Sequence, residues 1–259
     1  MTEPITSLTI TETESASAEI PEKALRHAEN AGLSLVMTET GLALTDGVLY
    51  LCADLSKNLR RLQTNNLRQE LLVKAARIKG ADRPLKAIDA TAGFGEDSLL
   101  VAAAGFTVDL YEYDPVIAAL LEDALRRAAA VPELAETVSR MHLHKEDSIS
   151  ALLRLSEAEK TAAPDPAFGM DQRQKPDVIL LDPMFPAREK SGLIKKKFQL
   201  LQRLEQPCTD EQELLAAAFA AHPHKIVIKR PLKGPFLAAR KPDYSLPGKA
   251  IRYDCFVLV

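Results

Sequence analysis

Apolar residues along this chain follow two rhythms, and the change between them divides it. Early on, short apolar runs at residues 33–37, 42–44 and 48–52 are separated by Thr40-Gly41 and Asp46-Gly47. Runs of that length with glycine turns predict a small antiparallel β unit, Asp-Gly being a strong hairpin signal. A short helix is expected before it over residues 21–31, where Ala24, Leu25 and Ala28 are at helical spacing. The run from Ile5 to Ile10 is read as an edge strand within a polar N-terminus. A basic helix is expected over 69–79, closed by Gly80.

From Leu85 onward, strand-type and helix-type segments alternate. Strands are expected at 85–90, 107–113, 140–144, 178–181, 226–228 and 256–259. Helices are expected at 97–104, 116–130, 149–155, 190–204 and 211–222, the second opened by Pro115. Residues 156–176 carry Pro164, Pro166, Gly169 and Pro176 among charges, and read as a mobile surface loop. The run Val178-Ile179-Leu180-Leu181 is continuously apolar, as in a strand covered on both faces. The pattern predicts an α/β fold, a doubly wound parallel sheet with right-handed crossovers. The expected division is a β-rich subdomain with a basic helix over 1–80, then the α/β domain over 81–259.

Composition narrows the class. With 46% apolar residues and no run near the ~18 needed to span a bilayer, the composition is that of a globular protein and no membrane-spanning helix is expected. The N-terminus has no basic region followed by an apolar core, so no signal peptide is expected. Cys52, Cys208 and Cys255 form no C-x-x-C pair, which suits free thiols in the cytoplasm and no metal site. His142 and His144 alternate on a strand without ligand-spaced partners and are read as strand-face residues. A net charge of −3 alone argues against a strong nucleic-acid binder. The basic residues nonetheless cluster, around residues 57–79, 188–203 and 225–252. Arg60, Arg61, Arg68, Lys195, Lys196, Lys229 and Arg230 are therefore candidate phosphate contacts.

Two strand ends carry the chemistry. The first is Asp89-Ala90-Thr91-Ala92-Gly93-Phe94-Gly95-Glu96-Asp97. Gly93 and Gly95 let the chain turn sharply and a ligand approach its backbone. The next helix aims its amino end at the turn, which suits a carboxylate such as that of S-adenosylmethionine. Asp89 and Asp97 are placed to engage that ligand's ammonium or to fix the loop. Glu112 ends the next strand, where an acid takes ribose hydroxyls. Asp147-Ser148 ends the third and could flank an adenine. A dinucleotide fingerprint would put its third glycine at Ser98, so S-adenosylmethionine is the better reading. Asp114, before Pro115, is expected to cap a helix.

The second strand end is Asp182-Pro183-Met184-Phe185-Pro186. An exocyclic amine on a nucleobase is a poor nucleophile, so its catalyst must chiefly orient it for in-line displacement. Asp182 can accept one N–H and the Pro183 carbonyl the other. Phe185 can stack on a base that has been flipped or unpaired. Adenine fits this chemistry as well as guanine does.

The segments D-A-T-A-G-F-G-E-D, L-Y-E-Y-D-P-V-I-A-A-L-L, L-D-P-M-F-P and V-I-K-R-P together resemble the RsmJ family. The resemblance is closest from about Gly80 to the end. It implies a class I, Rossmann-like S-adenosylmethionine-dependent methyltransferase acting on the N2 of a guanine in 16S rRNA of the small ribosomal subunit, at position 1516. It also implies that Glu96, Asp97, Glu112, Tyr113, Asp147, Ser148 and Asp182 line the cofactor pocket. Segment 59–68 keeps the paired arginines of the family's His-Arg-Arg stretch, but not its histidine or glycines. The alternatives are an amino methyltransferase for adenine or for a protein glutamine, and a non-catalytic rRNA-binding assembly factor.

Overall fold

In this computed structural model the described residues are 20–161, 175–183, 199–201, 203–204 and 211–258. Helix α1 (Glu22–Asn30) leads into strands β1 (Ser34–Thr38), β2 (Gly41–Thr45) and β3 (Tyr50–Cys52), an antiparallel sheet in chain order. Its two turns are those expected. Gly41 and Gly47 have φ of 113° and 89°, and the Asp46 carboxylate accepts from the Val48 and Leu49 amides. The connection beyond it holds more helix than the sequence pattern suggests. A 3₁₀ turn at Leu55–Asn58 is followed by α2 (Leu59–Leu62), α3 (Thr64–Leu67) and α4 (Leu71–Ala76). The expected basic helix is thus shorter, and the buried Lys225 ammonium closes its C-terminus by donating to the carbonyls of Ala75 and Arg77.

The main sheet is built from β4 (Lys86–Asp89), α5 (Glu96–Ala103), β5 (Thr107–Tyr111), α6 (Pro115–Ala129), α7 (Pro132–Val138), β6 (Met141–His144), α8 (Ser148–Thr161), β7 (Val178–Leu181), α9 (Glu211–Ala220), β8 (Lys225–Pro231), β9 (Tyr244–Pro247) and β10 (Ile251–Val257). Its order is β6-β5-β4-β7-β8-β10-β9. The pairs from β6 through β8 are parallel, and β10 runs antiparallel to both its neighbours. The alternation seen in sequence sorts side chains between two faces. Ala87, Val178, Leu180 and Val227 join one core with α5, α6 and the N-terminal sheet, while Ile88, Ile179, Leu181, Ile226 and Ile228 join another with α8 and α9.

Helix α7 and strand β9 were not expected, and α8 runs on to Thr161, into the segment read as a loop. Residues 162–174 of that loop, the N-terminal edge strand, Cys208 and most of the 190–204 helix lie outside the described residues. Asp114 caps α6 as expected, its Oδ1 accepting from the Val116 and Ile117 amides at 2.8 and 3.0 Å. The chain leaves β4 toward β5 on one side and returns as β7 on the other. This is the switch point of the sheet, and a ligand crevice opens beyond the carboxyl ends of β4 and β7.

Candidate active site

Both signature turns lie at that crevice, and they are bonded to each other. The Asp182 amide donates to Thr91 Oγ1 at 2.6 Å, and the Ala90 amide donates to the Leu180 carbonyl at 3.1 Å. Thr91 was not singled out by the sequence reading, although it stands in the centre of the glycine turn. Asp89 fixes the loop rather than facing a ligand. It is buried, and accepts from the Thr91 amide at 3.1 Å and from the Ser98 hydroxyl at 2.6 Å. Ser98 occupies the position where a dinucleotide fingerprint has glycine, and its hydroxyl is spent on this bond. Burial pushes the Asp89 carboxyl up to about 6, against the pull of Ser98.

The glycines divide their work. Both have positive φ, 52° at Gly93 and 73° at Gly95. A Cβ at Gly93 would meet nothing within 4 Å, so this side of the loop is open to a ligand. A Cβ at Gly95 would fall 2.8 Å from Leu121 Cδ1, so Gly95 is required for packing against α6. Gly95 also offers no side-chain cap to α5, which leaves the first-turn amides of that helix for other acceptors.

At the substrate side, the Lys229 ammonium lies 2.7 Å from Asp97 Oδ2 and 2.8 Å from Asp182 Oδ2. Burial disfavours its charge, but the two carboxylates outweigh burial and hold it protonated. Burial raises the Asp182 carboxyl above its usual range, and Lys229 restrains that rise. Tyr253 beside them is buried and its hydroxyl is pushed up, first by burial and then by Asp97. Neither expected phosphate contact on β8 is a freely solvated cation. Lys229 is held by the acids, and Arg230 is 1% exposed, donating to the Pro235 carbonyl at 3.0 Å and to Glu211 at 3.3 Å. A guanidinium shut inside the fold cannot reach a phosphate.

Glu112 is buried rather than a free strand end. Its Oε2 accepts from the Gly93 amide at 3.0 Å and its Oε1 from the Asp114 amide at 2.9 Å. Tyr113 is 60% exposed and lines a cavity of about 670 Å³ with α1 and Leu204. Asp147 is exposed and occupied as a cap, its Oδ2 accepting from the Ser150 amide and hydroxyl at 2.8 and 2.7 Å. Ser148 is buried at the start of α8, and Glu96 is exposed at the start of α5.

Beyond Tyr253, a cleft of about 460 Å³ is lined by Arg60, Arg61, Asn66, Gln69, Glu70 and Leu71 together with β10. Arg61 is clamped by Glu70 through two bonds of 2.8 and 3.0 Å, whereas Arg60 and Arg68 are exposed. Phe185, Lys195 and Lys196 lie outside the described residues. Among the described residues no group of three or more His, Cys, Asp or Glu is placed to hold a metal ion, and no helix is long and apolar enough to cross a membrane.

S-adenosylmethionine carries an ammonium, a cationic sulfur and ribose hydroxyls. The crevice converges the carboxylates of Asp97, Glu112 and Asp182 beside an open glycine loop, a donor and acceptor set that fits it. An open parallel sheet with one antiparallel strand inserted near its edge, and an acid-rich glycine turn at the switch point, together define a class I S-adenosylmethionine-dependent methyltransferase. The family model described as "Putative SAM-dependent methyltransferase" matches residues 19–258. A ribosomal RNA small subunit methyltransferase J from Thioalkalivibrio sulfidiphilus is 39% identical over 87% of this chain and 81% of its own. One of the same description from Pseudomonas aeruginosa is 37% identical over 93% and 92%. The crystal structure of a SAM-dependent methyltransferase from Neisseria gonorrhoeae superposes with a TM-score of 0.66 at 28% identity, covering 93% of this chain and 86% of that one. The chain belongs to the ribosomal RNA small subunit methyltransferase J family. It is an enzyme, its cofactor is S-adenosylmethionine, and the reading as a non-catalytic assembly factor is set aside.

Proposed function

We propose that this enzyme methylates the exocyclic N2 of a guanine, at position 1516, in 16S rRNA of the small ribosomal subunit, in the cytoplasm. The observation that carries the reading is the bond from the Asp182 amide to Thr91 Oγ1. It couples the proposed substrate turn to the cofactor turn, as transfer between two bound groups requires. The names of the relatives support ribosomal RNA as the acceptor. The choice of guanine N2 rests on the sequence resemblance.

When bound, S-adenosylmethionine supplies an electrophilic methyl group on sulfur. The chain's part is to place and deprotonate the amine. Asp182 accepts one N–H and the Pro183 carbonyl the other, turning the nitrogen lone pair toward the methyl. Phe185 stacks on the base. As the new bond forms, the nitrogen becomes acidic and its proton passes to Asp182 or to water. A carboxyl raised by burial is a better acceptor than one in water. Asp97, Glu112, Tyr113, Asp147 and Ser148 hold the cofactor around Gly93 and Gly95, with Glu96 at the rim and Asp89 bracing the loop from within. Arg60 and Arg61 line the cleft through which RNA reaches the site, and Arg68 lies exposed on the same basic segment.

The test is methyl transfer from labelled S-adenosylmethionine to small subunits from cells lacking this gene, followed by nucleoside mass spectrometry. The expected product is N2-methylguanosine, lost with Asp182→Ala. Label on adenine, or on a protein glutamine, would overturn the choice of acceptor.

A further inference from the structure

The mechanism above leaves unused a cation at the reacting end, Lys229. Lys229 stands on β8, and its Nζ bridges Asp97 on α5 to Asp182 after β7. Three separate elements are thus joined at the point where the acceptor nitrogen must be held. Its side chain is 28% exposed and Asp182 is 39% exposed, so the bridge faces the crevice and is not a core ion pair.

We propose that Lys229 is a positioning residue, which fixes the orientation of the Asp182 carboxylate and keeps it ionised to receive the acceptor amine. The inference rests on the placement of Asp182 at the reacting end. The geometry favours this role over a phosphate contact, because both short bonds of the ammonium run inward to carboxylates. It favours it over a purely structural one, because β7 and β8 are already joined by a parallel ladder over four residue pairs from Val178–Lys225 to Leu181–Ile228. Among the described residues, the charged and titratable groups that act on Asp182 are few. Asp97 and Asp89 oppose its ionisation from α5 and β4, Arg230 favours it from β8, and Tyr253 on β10 and Arg61 on α2 act on the same cluster. Arg230 bonds to Glu211 and Pro235, and among the described residues Lys229 is the cation in direct contact with Asp182.

Removing a cation in direct contact with a carboxylate moves that carboxylate's titration upward by about one to three pH units. Lys229→Met should therefore shift the acid limb of the kcat profile upward by about that amount, with activity returning as pH is raised. Lys229→Arg, which keeps the charge, should restore the wild-type limb even where its rate is lower. Carbon-13 titration of the aspartate carboxyls in the protein without cofactor gives a readout independent of turnover. The Asp182 carboxyl, identified as the signal absent from Asp182→Asn, should move up in Lys229→Met. Circular dichroism and the affinity for S-adenosylhomocysteine report whether the fold and the cofactor site survive.

Three results would overturn the proposal. A Lys229→Met enzyme whose loss is the same at every pH would make the lysine structural. One with an unchanged profile would make it dispensable. One that binds S-adenosylhomocysteine tenfold tighter without a pH shift would make the ammonium a stand-in for the cofactor's own. If Asp182→Asn is itself fully active, the reading of the site has failed rather than the role of the lysine.

Discussion

At the scale of single residues, the site puts one carboxyl where no charge is welcome. Asp89 is 3% exposed and its titration is pushed up to about 6, by burial first. A carboxyl titrating higher in the folded chain than in the unfolded one binds protons more tightly when folded. Stability from this group is therefore present below about pH 4 and is lost as pH rises through about 6, by at most about 3 kcal/mol. Asp89→Asn keeps the shape, with its amide oxygen accepting from Thr91 and its NH₂ donating to Ser98. We expect urea unfolding to show the variant gaining on the wild type between pH 4 and 6 and holding a constant advantage above. A difference that stays flat with pH would mean that Asp89 is ionised throughout. Residue chemistry of this kind was half legible in the sequence. The D-A-T-A-G turn announced a ligand loop, but whether Asp89 faced the ligand or the loop depended on Ser98, one helical turn beyond Gly95.

At the scale of elements, the strand and helix pattern was readable wherever apolar residues ran together or recurred at a regular spacing. It faltered where partners were distant. Strand β9, Tyr244–Pro247, has little apolar signature because it is an edge strand paired only to β10. Helices α2 to α4 are too short for periodicity to show. The N-terminal sheet was legible as a unit, but not its attachment. Asp123 on α6 is 6% exposed and accepts from Arg127 at 2.7 Å, Arg126 at 2.6 Å and the Leu42 amide at 2.9 Å, while Arg127 reaches back to the Ala53 carbonyl. Gly41 makes room for this clamp, since a Cβ there would lie 2.6 Å from Asp123 Oδ2 at a φ of 113°. Removing one partner of such a pair typically costs about 3 kcal/mol. Asp123→Ala is expected to lower the denaturation midpoint of the entire chain with an unchanged slope, as measured by circular dichroism. Hydrogen exchange at β2 and β7 should accelerate together. If only β2 exchanges faster, the division near residue 80 separates two units of independent stability.

At the scale of the molecule, the puzzle is a chain of net charge −3 that is proposed to act on RNA. Counting basic residues along the sequence overstated the RNA-facing charge, because several of them are internal fasteners. Lys225, Arg230 and Arg252 are all buried, and Arg252 donates to Asp254 and to the carbonyls of Pro231, Leu232 and Gly234. Strand position, not charge, decided their role, and no sequence window around V-I-K-R-P separates a fastener from a contact. The exposed arginines are a different population. Arg60 lines the same cleft as Tyr253, the strand partner of Lys229, and Arg68 is exposed on the same basic segment. Each phosphate neutralised by such a residue releases counterions and steepens the salt dependence of binding. Arg60→Gln and Arg68→Gln should each reduce the slope of log affinity against log salt by roughly one for small subunits, leaving S-adenosylhomocysteine affinity unchanged. Arg252→Gln should instead lower thermal stability and leave the salt slope of the folded protein where it was. Filter binding across a salt series, with melting curves beside it, separates the two sets. If the Arg60 and Arg68 variants keep the full slope, the RNA path does not cross this cleft, and the phosphate contacts must be sought elsewhere on the surface.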